Sequence, residues 1–400
     1  MQKHLERIVS DFSCVPKRLN EVVCEYLLFL MLRHGKHDLR TASRVFEKHE
    51  SNFSRLLSNS KTRPMSRQCL NRAIRRRLKK VKNTDEIFLI VDATLTHRSG
   101  KNIENKHKFR HGSKYVEGHQ FTNFVLLVND EVIPLASVPF YSKSFCRQKG
   151  FKYLTEIEMV AEWIEMLPES GLLPKVILEK LHFVLDSGYD AKLIQNVIHD
   201  IGAVFTMGLR SDRSVNGLVV KEYFLRNRHI PWKTIHLKSG NGRGTRKKRK
   251  FRVRAARRSH MKGFGEVNVV CSEKTSRTAG KRSRKYIVTS KLNQYERESL
   301  RIYAKRWSIE TWHKDMKQNF GYGDCRSKKF HAIESHINFA LCAYVIVGME
   351  EKQLPKKNAT IDQFECSKNL NEMARVINLF GGRQRAKELL KTANAAVVNG

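Results

Sequence analysis

What this chain lacks is acid to balance its bases. Its 39 Asp and Glu face 76 Lys and Arg, a net charge of +37. That balance sets it apart from metabolic enzymes and points to a polyanionic partner, nucleic acid ahead of a membrane surface. Between Glu222 and Glu266 there is no acidic residue at all. The eight cysteines contain no C-x-x-C pair, which argues against a zinc site and a disulfide framework and suits reduced thiols in the cytoplasm. No hydrophobic run approaches the roughly 20 residues that a spanning helix needs, so no membrane association is expected. The apolar run at residues 26–32 is short, follows Glu25 and sits inside a helical pattern, so it does not read as a signal peptide.

Four hundred residues suffice for two or three domains with a sizeable core. The first eighty read as helices, over 17–33, 39–46, 51–57 and 66–82. The pair at 39–46 and 51–57 has the size of a helix-turn-helix, and of an ordinary helical hairpin as well. The last of these helices stacks Arg72, Arg75, Arg76, Arg77, Lys79 and Lys80 with little acid to neutralise them. Residues 1–82 are therefore expected to be a helical DNA-binding domain, with Arg75, Arg76 and Arg77 on phosphates.

From residue 86 the pattern changes to strands. Residues 87–91 form a continuous apolar run, expected for a strand buried on both faces, that ends at Asp92. Residues 121–128 and 132–140 read as a hairpin turning at Asn129-Asp130. A helix over 156–167 precedes a second buried strand, 181–185, which ends at Asp186. Asp190 is then expected to cap a helix over 191–201, with another strand at 203–209. Taken singly, Asp92 could merely turn the chain and Asp186 could open an Asx-turn. Together they are two carboxylates at strand ends, where α/β folds bind ligands. Asp190 competes with Asp186, which is favoured because it directly follows the strand.

The most specific stretch is Tyr303-Ala-Lys-Arg306-Trp-Ser-Ile-Glu310-Thr-Trp-His-Lys314-Asp-Met-Lys317. It has no Gly or Pro, and Ile302, Ile309, Trp312, Met316 and Phe320 recur at helical spacing, which predicts a helix over 294–319. At roughly 100° per residue, Tyr303, Arg306, Glu310 and Lys317 share an arc of about 60° beside the apolar stripe. An ordinary solvated face with Arg306–Glu310 and Glu310–Lys314 pairs would account for the charges alone. The complete spacing Y-x-x-R-x-x-x-E-x-x-x-x-x-x-K, however, resembles the signature of the DDE transposases of bacterial insertion sequences, in the group with a β-rich insertion before the catalytic Glu.

The resemblance implies a ribonuclease-H-like mixed α/β sheet in which Asp92, Asp186 and Glu310 bind two Mg²⁺, with Mn²⁺ as a substitute. Two such ions clamp the attacking and leaving oxygens of a phosphoryl transfer. It implies that Tyr303, Arg306 and Lys317 touch the DNA backbone beside the scissile phosphate. The partners would be terminal inverted repeats and target DNA, bound by a dimer in the nucleoid. The interval from Asp186 to Glu310, 310 − 186 = 124 residues, leaves room for the insertion. Within it, 221–237, 251–253, 266–270 and 285–289 read as short strands. The acid-free run with Lys247, Lys248, Arg249, Lys250, Arg252, Arg254, Arg257 and Arg258 is expected to be a phosphate track. Some relatives stack a flipped base on a Trp, and Trp232 is the one Trp in the expected insertion, 211–290. The expected order is a helical domain (1–82), first core part (83–210), β-rich basic insertion (211–290), last core part (291–350) and helical tail (351–400). A metal-dependent nuclease without strand transfer, and a non-catalytic sequence-specific DNA-binding protein, stay open.

Overall fold

The structure, a computed structural model, describes residues 14–31, 37–112, 114–238, 248–275 and 282–350. The expected tail at 351–400 and Lys247 lie outside the described residues. The helices are α1 (Lys17–Met31), α2 (Leu39–Phe46), α3 (Glu50–Ser58), α4 (Thr62–Leu78), α5 (Lys143–Lys149), α6 (Glu156–Met166), α7 (Lys175–Leu178), α8 (Lys192–Asp200), α9 (Val220–Arg226), α10 (Glu296–Lys305), α11 (Trp307–Asn319) and α12 (Phe330–Glu350). The strands are β1 (Ile87–His97), β2 (His107–His111), β3 (Lys114–Val128), β4 (Glu131–Pro139), β5 (His182–Leu185), β6 (Val204–Leu209), β7 (Ser214–Val215), β8 (Leu218–Val219), β9 (Lys233–Lys238), β10 (Lys248–Met261), β11 (Gly265–Thr275) and β12 (Arg282–Thr289). Backbone contacts divide the chain into two units, one from residues 1–80, 96–118 and 312–400, the other from 81–95 and 119–311.

In the first unit α12 packs along α4 and α1. Tyr26, Phe29, Phe53 and Phe339 are fully buried there. His336 joins them: its Nε2 meets the Gly321 carbonyl at 2.7 Å and its Nδ1 meets Tyr26 Oη at 2.7 Å. A carbonyl only accepts, so Nε2 carries the proton and Tyr26 donates to Nδ1. Residues 330–349 correct one expectation from sequence. They are long and apolar enough for a membrane span, with mean hydropathy 1.4, but 89% of that window is buried in the protein. It is a core helix. Between α2 and α3 the chain turns in three residues, with Glu47 at φ 48°.

The second unit is built on one mixed sheet. Its strands run β3, β1, β5, β6, β12, β11, β10, with β4 paired to β3 and β9 to β10. β1, β5 and β6 are parallel neighbours, while β12 returns antiparallel to β6. Ile87 to Val91 and all of β5 are buried, as their uninterrupted apolar sequence requires. The β3–β4 hairpin turns through Asn129 (φ 47°) and Asp130 (φ 75°), residue types that tolerate the left-handed region. This mixed α/β architecture is consistent with a ribonuclease-H-like fold.

Four local expectations need correction. β1 does not end at Asp92 but runs on to His97, because Thr94 and Thr96 continue a buried–exposed alternation. Residues 220–226 are helix, not strand: Val220 and Phe224, one turn apart, are both buried. The long helix is two, α10 and α11, meeting at Arg306. The i→i+3 bonds Arg306 N→Tyr303 O and Ile309 N→Arg306 O, both 3.2 Å, tighten that turn. Finally, Asp190 does not cap α8; the residue at that position is Ala191.

Candidate active site

The register of β1 on β5 brings the first two acids together. Val91 pairs with Leu185, so Asp92 and Asp186 are the next residues on adjacent parallel strands. Neighbouring strands lie about 4.8 Å apart, which puts the two carboxylates side by side. Asp186 Oδ1 accepts from its own turn, Ser187 N at 2.7 Å, and from Tyr303 Oη at 3.4 Å. Burial pushes the Tyr303 phenol up to about 12, and the Asp186 charge pushes the same way.

Arg306 and Glu310 form the other half. Arg306 Nη2 donates to Glu310 Oε1 at 2.5 Å, one helical turn on, with side-chain exposures of 14% and 33%. Burial pushes the Asp92 carboxyl up to about 6; Arg306 opposes the shift, and the Asp186 and Glu310 carboxylates add to it. Burial opposes the Arg306 charge, but Asp186 and Glu310 more than restore it and raise its pKa. Asp92, Asp186, Glu310 and Arg306 therefore sense one another electrostatically. The alternative of an ordinary solvated face does not hold at Tyr303 and Arg306, which are half-buried, and the apolar stripe is as read: Ile302, Ile309, Trp312, Met316 and Phe320 are each no more than 3% exposed.

Three contacts the sequence did not reveal hold this arrangement. Arg301 binds Glu86 (3.0 and 2.5 Å) and Glu298 (3.0 and 2.7 Å), tying α10 to the start of β1. Lys305 ties it to Asp130 in the β3–β4 turn. Gly208 in β6 lies under the site: a Cβ there would stand 2.8 Å from Tyr303 Oη and 2.9 Å from Ser187 N. A glycine inside a strand was the available signal.

Asp190 is committed elsewhere. It is 2% exposed, accepts from Gln195 Nε2 (2.9 Å) and Arg210 N (3.0 Å), and pairs with Arg213 at 3.2 Å. Its oxygens hold the chain between β5 and β6.

The donor set suits a hard divalent cation in kind, being all carboxylate oxygen. The raised Asp92 pKa reflects burial first and the neighbouring Asp186 and Glu310 carboxylates second, and a bound cation would favour the ionised form against both. Among the described residues, however, no three His, Cys, Asp or Glu side chains form a ready metal cage. Glu310 is engaged with Arg306 instead.

The expected DNA-contact residues divide. Lys317 is exposed and belongs to the first unit. On α4, Arg75 is exposed and Arg76 half-buried, while Arg77 is 4% exposed and faces the core. Lys250 is exposed on β10; for Lys248 and Arg249 the backbone alone is described, paired with Lys238 and Leu237. The acid-free run does find acids in space, which the sequence reading missed. Arg252 pairs with Glu273 (3.7 Å), Arg257 with Glu296 (3.2 Å) and Arg258 with Glu266 (3.7 Å). Arg254 is 5% exposed and lies over the Trp232 ring at 4.6 Å, with Arg252 at 5.0 Å. These arginines brace the β9–β12 sheet.

The Transposase DDE domain family matches residues 83–346, more than half of the chain. No curated protein matches the sequence. With that match over a mixed sheet bearing paired acids, the chain belongs to the DDE transposases of insertion sequences, which act on DNA by metal-dependent phosphoryl transfer.

Proposed function

We propose that this transposase binds the terminal inverted repeats of its element, cuts the ends and joins them to target DNA through Asp92, Asp186 and Glu310. The observation that carries the reading is the register that sets Asp92 beside Asp186, with Tyr303 of α10 bonded to Asp186. Asp92, Asp186 and Glu310 would hold Mg²⁺, or Mn²⁺ in its place, and the ions would supply Lewis-acid activation and charge neutralisation at the scissile phosphate. Glu310 is to leave Arg306 for that role.

The chain's own cations then orient DNA. Arg306, freed of Glu310, offers a planar fork to a phosphate oxygen, and Lys317 offers a point charge further along α11. Lys247, Lys248, Arg249 and Lys250 contact phosphates of the flanking duplex, and Arg75 and Arg76 of α4 do so independently. Arg77, in the core, supports α4 rather than DNA. Residues 1–82 serve as the end-binding domain and 211–290 as the β-rich insertion of the group. Trp232, flanked by Arg252 and Arg254, is a candidate stacking platform for an unpaired base. The active form is a dimer that brings two ends together in the nucleoid.

Incubation with a supercoiled donor plasmid and Mg²⁺ tests the reading. Release of the element and its insertion elsewhere is the expected result. Cleavage without joining would make the protein a nuclease, and binding alone would make it a DNA-binding protein.

A further inference from the structure

The turn that presents Asp186 is one 3₁₀ turn long, Ser187–Tyr189, closed by Tyr189 N→Asp186 O at 3.1 Å and Asp190 N→Ser187 O at 3.3 Å. The turn leaves β5 at Asp186, and its far end is held twice. Buried Asp190 anchors it on one side, and the adjacent Tyr189, 5% exposed, donates its Oη to Glu156 Oε1 at 2.7 Å.

Glu156 is itself immobilised. Its Oε2 accepts Gln120 Nε2 at 2.6 Å, and Thr122 Oγ1 reaches its Oε1 at 3.5 Å, both from β3. It opens α6, whose first turn is fixed by a capping box between Thr155 and Glu158. Burial raises the Tyr189 pKa, and the charges of Glu156 and then Asp92 add to the effect.

We propose that Glu156 is a positioning residue for the metal site: through the Tyr189 hydroxyl it fixes the turn that carries Asp186 next to Asp92. With its two oxygens occupied by side-chain donors, Glu156 serves the site without entering it. The inference rests on the assignment of Asp92 and Asp186 as metal ligands. Groups that orient metal ligands through hydrogen bonds change metal affinity or activity by about 10–100-fold when removed.

Tyr189→Phe deletes one hydroxyl and keeps the ring; Glu156→Gln keeps the shape and loses the charge. The protein without DNA is titrated with Mg²⁺ and Mn²⁺ while its melting temperature is followed, and end cleavage is measured over the same metal range. Both variants are expected to melt within a few degrees of wild type without metal. Each should need about 10–100-fold more metal for half its thermal shift and half its cleavage rate, with excess metal restoring most of the rate. Asp186→Asn, in the same assays, should show no rescue; rescue or full activity there would sink the ligand assignment itself. The positioning role is overturned if both variants respond to metal as wild type does. It is also overturned if they lose activity only in step with lost folded protein, or if both fail to fold, because the network would then serve stability alone.

Discussion

Gly208→Ala tests whether Tyr303 and the Asp186 turn must approach as closely as they do. The added Cβ would meet Tyr303 Oη at 2.8 Å and Ser187 N at 2.9 Å, with Ser187 Cβ at 3.2 Å. Ordinary contact begins near 3.5 Å, so at least one group must move by over half an ångström. The first two of those atoms donate hydrogen bonds to the same oxygen, Asp186 Oδ1. Relief of the clash therefore displaces the carboxylate or removes its tyrosine partner. Overpacking of this kind costs about 1–3 kcal/mol of stability. A displacement approaching 1 Å at reacting groups costs up to about 100-fold in rate. End cleavage on a pre-formed protein–DNA complex, with a melting curve alongside, measures both. Gly188, in the same turn, has nothing within 4 Å of its would-be Cβ, so Gly188→Ala is the control. Gly208→Ala cleaving as fast as Gly188→Ala would refute the claim that this packing serves the site.

Three further outcomes follow from the same geometry. Asp92→Asn should abolish cleavage yet stabilise the metal-free protein. The raised pKa, about 6 against an ordinary 3.8, means the ionised form strains the fold above pH 6, a strain relieved as pH falls toward 4. Two pKa units correspond to about 2–3 kcal/mol, so melting curves should show the gain at pH 8 and little of it at pH 4. Arg306→Ala should lose about 1–3 kcal/mol of transition-state stabilisation that added Mg²⁺ does not restore, and Arg306→Lys should remain defective for want of the planar fork. Lys314→Ala, in the same cleavage assay, should be nearly silent. Changing Lys247, Lys248, Arg249 and Lys250 to Gln should flatten log K against log salt by roughly 3–4 units, at about 0.9 per lost phosphate contact, and an unchanged slope would mark the run as solvated.

Much of the catalytic half was legible because its elements carry strong local patterns. The buried runs ending at Asp92 and Asp186 are apolar on both faces, and the stripe from Ile302 to Phe320 has an unbroken helical period. Residues 220–226 were misread because seven residues with aromatic and branched side chains fit a strand as well as two helical turns. Asp190 was misread because capping is a local rule, whereas its partners Arg210 and Arg213 arrive from beyond α8 and β6. The same limit affected the basic run: a sequence free of acid between Glu222 and Glu266 still meets Glu266 and Glu273 across the sheet and Glu296 at the start of α10. Arg301 and Glu156 were invisible for a related reason, since each meets a residue from a distant part of the chain, and Gly208 showed only as a glycine inside a strand, with no sign of what approaches it.

The central claim, that the carboxylates at the ends of two neighbouring strands carry the chemistry, is tested most directly by Asp186→Asn on a transposon-end duplex. Protein is held at a concentration where a gel shift shows all DNA bound, and nicking is followed in Mg²⁺ and Mn²⁺. The account predicts unchanged binding and cleavage reduced by at least about 1,000-fold, since the metals contribute several kcal/mol at the transition state. Cleavage within tenfold of wild type, with binding intact, would contradict it.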